Sequence, residues 1–145
     1  MIARAFHRWL RDERGTALVE FAIVVPMLLV LVLGIIDFGR MMAVAGGLAA
    51  AVRDGARMAA TSSNPSDATQ QSAIKSRVIG AFQPFGGAAI QTSNIAVSLD
   101  NNAGNVTVAV TGYTYVPLTP VMRMIGAGTL NFSRSATFRW ERSFF

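Results

Sequence analysis

The sequence predicts an α+β protein with a long N-terminal helix that starts in a membrane, a second helix, and a small three-stranded antiparallel sheet packed against helix. Three observations lead to this prediction. The chain is apolar from Ala17 to Ile36 apart from one glutamate, apolar residues then keep a helical spacing to about Ala60, and beyond residue 95 their period becomes two. A length of 145 residues fits one exported domain.

Composition locates the apolar excess and excludes several classes of function. Hydrophobic residues make up 52% of the chain and charged residues 14%, against roughly 25% charged residues in an average soluble domain. The net charge is +5; four arginines lie before residue 15, and the later basic residues are scattered without the basic stripe of a nucleic-acid-binding protein. The chain has no cysteine, which excludes disulfides, thiolate-bound metals and thiol catalysis. We therefore expect a membrane protein with no nucleic-acid partner.

Residues 17–36 have the length of a membrane-spanning helix. Twenty helical residues rise about 30 Å, which is the thickness of the hydrocarbon core of a bilayer. Glu20 is the one ionisable residue in this span, and Asp37 and Arg40 mark its end. Four arginines lie before residue 15, whereas only Arg40 follows the span closely. The positive-inside rule therefore predicts a single-pass protein with a cytoplasmic N-terminus and a periplasmic C-terminal domain.

Three interpretations of this segment compete. A secretory signal peptide would be cut after Ala43-Val44-Ala45 and release a soluble domain, but its apolar run would normally be only about 7–15 residues long. An uncleaved anchor that presents a periplasmic binding domain explains the length and the charged flanks. It leaves Glu20 without a role, although an ionisable residue inside a membrane is costly. The third interpretation gives Glu20 a role.

Residues Gly15-Thr16-Ala17-Leu18-Val19-Glu20-Phe21 resemble the processing motif of type IV prepilins. In that motif a glycine precedes the cut, and a glutamate followed by an aromatic residue is fifth in the mature chain. The resemblance implies that a prepilin peptidase cuts between Gly15 and Thr16 and removes residues 1–15, a short basic leader. It also implies that Glu20 meets the N-terminal amine of a neighbouring subunit during assembly. Gly15 would offer the peptidase an extended, accessible backbone.

A longer resemblance narrows the family. The stretches from Gly15 to Pro26, from Gly34 to Arg40 and from Arg53 to Arg57 are similar to the TadE-like pseudopilins or minor pilins of tight-adherence (Tad, or Flp) pilus systems. This resemblance implies a pilin-like fold and a structural role in pilus assembly. The implied partners are other pilin-like subunits, a prepilin peptidase and the pilus assembly platform of the bacterial inner membrane. Incorporation into an extracellular pilus is a further implication.

Two positions could bend the long helix, which is predicted from Thr16 to about Ala60. Pro26 removes one helical hydrogen bond and clashes with the carbonyl of residue 22, so it predicts a kink. The kink is either a device that lets the anchor leave the bilayer or an incidental feature, and the sequence leaves both open. Gly46-Gly47 either allows close helix packing or weakens the helix. Charge spacing also predicts i,i+3 pairs between Asp37 and Arg40 and between Asp54 and Arg57.

Residues 61–145 are predicted to form the exported α+β part. Asn64 and Pro65 fit the N-cap and the first position of a second helix that reaches Phe82. Alternating apolar residues then predict three strands, with a turn at residues 101–104 and a short Thr119-Pro120 turn that stops at Gly126. The residues with this alternation are Ile95, Val97, Leu99, Val106, Val108, Val110, Leu130, Phe132, Ala136, Phe138 and Trp140.

Nothing in the sequence predicts an enzyme, a metal site or a cofactor. The single histidine, His7, lies in the leader, and Asp100 and Glu141 have no spacing that suggests acid–base catalysis. No phosphate-binding loop or metal-binding motif occurs. The aromatic residues near the end of the chain could form a surface for a partner, but burial is the more ordinary fate of such residues; they are Tyr113, Tyr115, Phe144 and Phe145.

Overall fold

The computed structural model describes residues 13–82, 88–124, 126 and 128–141. The predicted leader up to residue 12, with His7, and the aromatic residues Phe144 and Phe145 lie outside the described residues. The elements are α1 (Glu13–Ala60), α2 (Ala68–Ala81), a 3-10 turn (Thr92–Asn94), β1 (Ile95–Asp100), β2 (Asn105–Tyr115), α3 (Pro120–Met124) and β3 (Leu130–Arg139). The predicted α+β class, with two main helices and a three-stranded antiparallel sheet, is confirmed.

Helix α1 has two halves with different surroundings. Its 48 residues correspond to a rod about 72 Å long, which continues as helix through Pro26 and through Gly46-Gly47. Residues 15–36, here called the uncovered half, make almost no contact with the rest of the chain. From Asp37 onward one face of α1 is buried. The buried residues recur at helical spacing and are Val44, Leu48, Ala51, Val52, Ala56 and Ala59. We call this covered half, with α2 and the sheet, the head.

The sheet is an antiparallel meander with β2 in the centre. Ile95 pairs with Val110 in the β1–β2 ladder, and Val106 pairs with Phe138 in the β2–β3 ladder. The turn at residues 101–104 is formed as predicted, with Gly104 at a φ of 63°. The β2–β3 register shifts between Val110 and Tyr113. Gly112 lies at this bulge with a φ of 68°, a conformation that glycine adopts without the steric cost of a Cβ.

Alternation along the strands separates a core face from a polar face, as the sequence predicts. Val106, Val108 and Val110 of β2 are buried against α1, whereas their neighbours in sequence point away. On the outer face the hydroxyls of Thr107 and Thr137 are hydrogen-bonded across the two strands at 2.8 Å. The sheet therefore has one face packed on helix and one face open to solvent, the usual arrangement for an antiparallel sheet of this size.

Helix α2 starts later than the sequence predicts. Its N-cap is Asp67, whose Oδ2 accepts hydrogen bonds from the amides of Thr69 at 3.0 Å and Gln70 at 3.2 Å. The prediction that Asn64 caps the helix is wrong, because the Asn64 side chain instead accepts from the amide of Ser66 and closes a local turn. Two apolar residues of α2, Ile74 and Val78, are buried in the head.

Small residues bring α1 and α2 close together. A Cβ placed on Gly55 would collide with the side chain of Val78, so the helices can approach this closely only with glycine at position 55. Gly47 lies against the ring of Phe82, whereas a Cβ on Gly46 would meet nothing within 4 Å. The predicted close packing thus holds for Gly47, while Gly46 faces away from the head.

An ion pair also joins the two helices. Nε of Arg77 on α2 lies 2.6 Å from Oδ2 of Asp54 on α1. The predicted pair of Asp54 with Arg57 is wrong, since Asp54 faces α2 and its carboxylate meets a cation from there. Both side chains are substantially exposed, so this pair is worth little, about 0–1 kcal/mol.

The end of α1 furthest from the uncovered half is closed by the C-terminal end of β3. The indole Nε1 of Trp140 donates to the carbonyl of Ser62 at 2.9 Å, and the amide of Glu141 donates to the carbonyl of Ala60 at 3.1 Å. The amide of Trp140 also donates to the carbonyl of Gly104 at 2.8 Å. These bonds satisfy carbonyls left open where the helix ends and bring the β1–β2 turn to this end, here called the distal end.

Candidate functional site

The motif residues predicted from the sequence lie at the start of α1. Gly15, Thr16, Glu20 and Phe21 are all exposed to solvent. Gly15 and Thr16 belong to the first turns of the helix, which begins at Glu13, so the expectation of an extended backbone at Gly15 is wrong for this state. Thr16 and Glu20 are four residues apart and therefore lie on the same face of the helix, one turn from each other.

The uncovered half of α1 presents apolar side chains in every direction. Leu18 is 71% exposed, Phe21 69% and Met27 70%, and Pro26 is exposed as well. Within the described part of the chain, α1 is the one helix that is long and apolar enough to cross a membrane. A helix that is apolar all round must be covered by lipid or by other protein.

Asp37 ends this apolar stretch and is fully buried. Its Oδ1 accepts a hydrogen bond from the amide of Leu118 at 3.0 Å, and its Oδ2 accepts one from the amide of Thr119 at 3.2 Å. The hydroxyl of Thr119 donates to the same Oδ2. Three donors from the β2–β3 connection therefore surround one carboxylate, which offsets the cost of burying its charge. We call this arrangement the Asp37 clamp.

Two further residues belong to the clamp. Tyr115, which is fully buried, donates its hydroxyl to the backbone carbonyl of Asp37 at 3.3 Å. Its ring contacts that of Phe132 edge to face, with centroids 6.3 Å apart. Arg40 lies one turn further along α1, and its positive charge favours the ionised form of Asp37. The predicted proximity of Asp37 and Arg40 is thus present, but the hydrogen-bond donors to the Asp37 carboxylate come from the β2–β3 connection.

The comparison with known protein families identifies this part of the chain. Residues 15–57 match the model of the family described as TadE-like protein. This segment is TadE-like. No curated protein and no solved structure matches the chain.

The TadE-like segment contains all the site residues predicted from the sequence, from Gly15 to Arg40. It begins at Gly15, the glycine of the predicted processing motif, and ends three residues before the end of α1. The match agrees with the resemblance to TadE-like proteins seen in the sequence. Within the described part of the chain, this segment includes the helix that is long and apolar enough to cross a membrane.

The clamp joins the TadE-like segment to the part of the chain that the family model does not cover. Asp37 lies inside the segment, whereas Tyr115, Leu118 and Thr119 lie outside it. Sequence reasoning assigned Asp37 to the membrane boundary but did not find its partners. The one local pattern that pointed to this region was Thr119-Pro120, which predicts a short turn that stops at Gly126. The structure confirms this turn as α3, followed by Gly126 with a φ of 83°.

Tyr113 and Tyr115 are buried, so the sequence-based alternative of a partner surface made by these two rings is wrong. The Tyr113 ring packs edge to face on Phe82, with centroids 5.2 Å apart. Burial raises the pKa of the Tyr113 hydroxyl, and the neighbouring Tyr115 raises it further. Tyr113 therefore stays neutral and acts as a core residue of the head.

Proposed function

We propose that this protein is a pseudopilin or minor pilin of a Tad pilus system, processed between Gly15 and Thr16 and assembled through α1. The observation that carries the proposal is the TadE-like match, which begins at Gly15 and covers a helix whose first half is exposed and apolar. Such a helix suits two surroundings in turn, the lipid of the inner membrane and the helices of neighbouring subunits. The N-terminus would be cytoplasmic and the head periplasmic, as the arginines before the span favour.

Glu20 would act once the leader is removed. Cleavage creates an α-amino group on Thr16, and Glu20 lies one turn away on the same face. A carboxylate in an apolar environment gains most from a cation that reaches it there. The amine of an incoming subunit would neutralise Glu20 of its neighbour and so set the axial position of each new helix. Repetition of such a head-to-tail contact, which does not close on itself, gives a helical filament.

Processing is tested by the intact mass of the chain extracted from membranes. Cells that contain the prepilin peptidase should yield a chain that begins at Thr16, and cells without it should yield the full chain. Gly15 is helical, so cleavage requires the backbone at Gly15 to leave the helical conformation. A chain that keeps residues 1–15 in peptidase-containing cells would exclude processing and favour the uncleaved anchor with a periplasmic binding domain.

Assembly is tested by replacing Glu20 with alanine. The variant should still insert and be cleaved, because removing an ionisable residue makes the span more apolar. It should be missing from the sheared pilus fraction and from crosslinked oligomers, by about tenfold or more if one charged contact of at least 1.4 kcal/mol is lost. Asp54→Ala is the matched control, since it removes a carboxylate from the same helix outside the span. Equal assembly of both variants would contradict the role of Glu20.

A further inference from the structure

Outside α1, the exposed large apolar side chains are concentrated in one connection. In residues 116–124, here called the interfacial loop, Val116 is 45% exposed, Leu118 65% and Met124 85%. Elsewhere in the described part of the head beyond α1, only Phe138, at 40%, belongs to the same class. Exposed apolar clusters of this kind mark contacts with a partner or a membrane.

The Asp37 clamp fixes the level of the interfacial loop along α1. The amide of Leu118 donates to the carboxylate of Asp37 at 3.0 Å, and Asp37 directly follows the last residue of the predicted span. The side chains of Ile35, Ile36 and Phe38 at this level of α1 are themselves 64%, 45% and 55% exposed. The exposed side chains of Val116 and Leu118, beside the residues that contact Asp37, are therefore level with the end of the apolar surface of the helix.

The charge of the interfacial loop is also suited to a lipid surface. Arg123 is its one charged residue, it is exposed, and it precedes the most exposed apolar residue, Met124. Arginine beside apolar side chains is a combination found at bilayer interfaces, where the guanidinium meets phosphates and the apolar groups enter the acyl region. A carboxylate in this loop would oppose such a contact, and the loop contains none.

We propose that the interfacial loop is a second membrane contact of the protein, beside the helix. Val116, Leu118 and Met124 enter the outer edge of the bilayer that α1 crosses, and Arg123 lies among the lipid phosphates. This proposal rests on the membrane insertion of α1 in the proposed function but not on cleavage or assembly. Lipid is the occupant because the clamp holds the loop where the hydrocarbon region ends, whatever subunits are nearby.

The chain has no cysteine, so a spin label attached to a single introduced cysteine reports the membrane depth of that position alone. Single-cysteine variants Leu118→Cys and Met124→Cys of the full chain are spin-labelled and reconstituted in phosphatidylcholine vesicles with phosphatidylglycerol. Collisions with oxygen, which is concentrated in lipid, are compared with collisions with a water-soluble nickel chelate. Leu29→Cys supplies the reference inside the span, and Ala103→Cys, in the exposed turn at the distal end, supplies the aqueous reference.

We expect the oxygen-to-nickel ratio at both loop positions to lie between the two references and at least threefold above that at position 103. Arg123→Glu should lower the ratio at position 124 in vesicles with phosphatidylglycerol. Ratios at 118 and 124 equal to that at 103, with position 29 in lipid, would overturn the loop contact and leave the proposed function intact. An aqueous ratio at position 29 would overturn both.

Dilution of the protein in lipid distinguishes a contact with lipid from a contact with a neighbouring subunit. The measurement is repeated at a tenfold higher lipid-to-protein ratio, where contacts between chains are lost. An unchanged ratio at positions 118 and 124 supports the lipid contact. A ratio that falls to the value at position 103 on dilution would show that another copy of the chain covers the loop, and the proposal would be overturned.

Discussion

The chemistry of Asp37 decides how the head is attached to the helix. A carboxylate without exposed surface is stable only if its charge is compensated by donors, and all three donors around it come from Leu118 and Thr119. Because these residues lie outside the helix, the attachment is a contact between distant parts of the chain. The same hydrogen bonds hold the backbone of Leu118 and Thr119, in the connection between β2 and β3, against α1.

Replacement of Asp37 by alanine should lower the free energy of unfolding of the head by about 2–3 kcal/mol. The reason is that the buried amide and hydroxyl of Thr119 and the partly buried amide of Leu118 lose their acceptor together. Urea unfolding in detergent, followed by the fluorescence of Trp140, measures the change. Asp100→Ala is the control, because Asp100 accepts from the amides of residues 102 and 103 in an exposed turn and should cost about 1 kcal/mol or less. Equal costs would contradict the clamp.

The sequence indicated Asp37 as a boundary residue but could not indicate its partners. Local patterns report neighbours within one or two turns, and the donors of the clamp lie 81 and 82 residues further along. The same limit explains Asp54, whose predicted partner is Arg57 and whose partner in space is Arg77. Motif residues such as Gly15 and Glu20 were found because their pattern is contiguous.

At the scale of elements, periodicity predicted the helices and strands well. The strands were found because apolar residues alternate on one buried face, and the long helix because its apolar spacing continues beyond the span. The start of α2 was wrong because Asn64 and Asp67 are both good N-caps. In the structure Asp67 caps the helix, and the buried Pro65 lies in the turn before it.

The contact between α1 and α2 predicts opposite effects for two glycines. Gly55→Ala should lower the free energy of unfolding by about 1–2 kcal/mol, because overpacking against the stiff Val78 side chain exceeds the gain in helix propensity. Gly46→Ala should raise it by up to about 1 kcal/mol, since its Cβ meets open space. Thermal unfolding of both variants measures the difference.

A double mutant separates steric conflict from other causes. In Gly55→Ala combined with Val78→Ala, the conflict is removed, so the two costs should not add. Additive costs would mean that the close approach of the helices is not what requires glycine at position 55.

At the scale of the whole molecule, the apolar surface and the core are in different parts of the chain. The core uses residues from Val44 to the end of β3, whereas the uncovered half of α1 contributes nothing to it. A fragment of residues 37–145 should therefore be a soluble, folded monomer by light scattering and near-ultraviolet circular dichroism. A fragment of residues 39–145, which lacks Asp37, should melt about 10 °C lower. Aggregation of both fragments would contradict the separation.

The clamp also has a consequence for angles. Glu20 and Asp37 are seventeen residues apart on one helix, so at 3.6 residues per turn their directions differ by about 100° around the axis. The head contacts α1 on the side where Asp37 lies. The Glu20 side chain therefore points about 100° away from that side. One alanine inserted after Leu28 would place Glu20 and Asp37 on the same side of the helix. Four inserted alanines would change the angle between them around the helix axis by only about 40°.

We expect the single insertion to abolish assembly and the fourfold insertion to keep much of it, although the single insertion alters the length of the span less. The sheared pilus fraction measures both. The reverse order would mean that length governs assembly. The expected order would mean that α1 acts as a rigid rotational spacer. The direction in which each head points around a filament would then be set by the number of residues between Glu20 and Asp37.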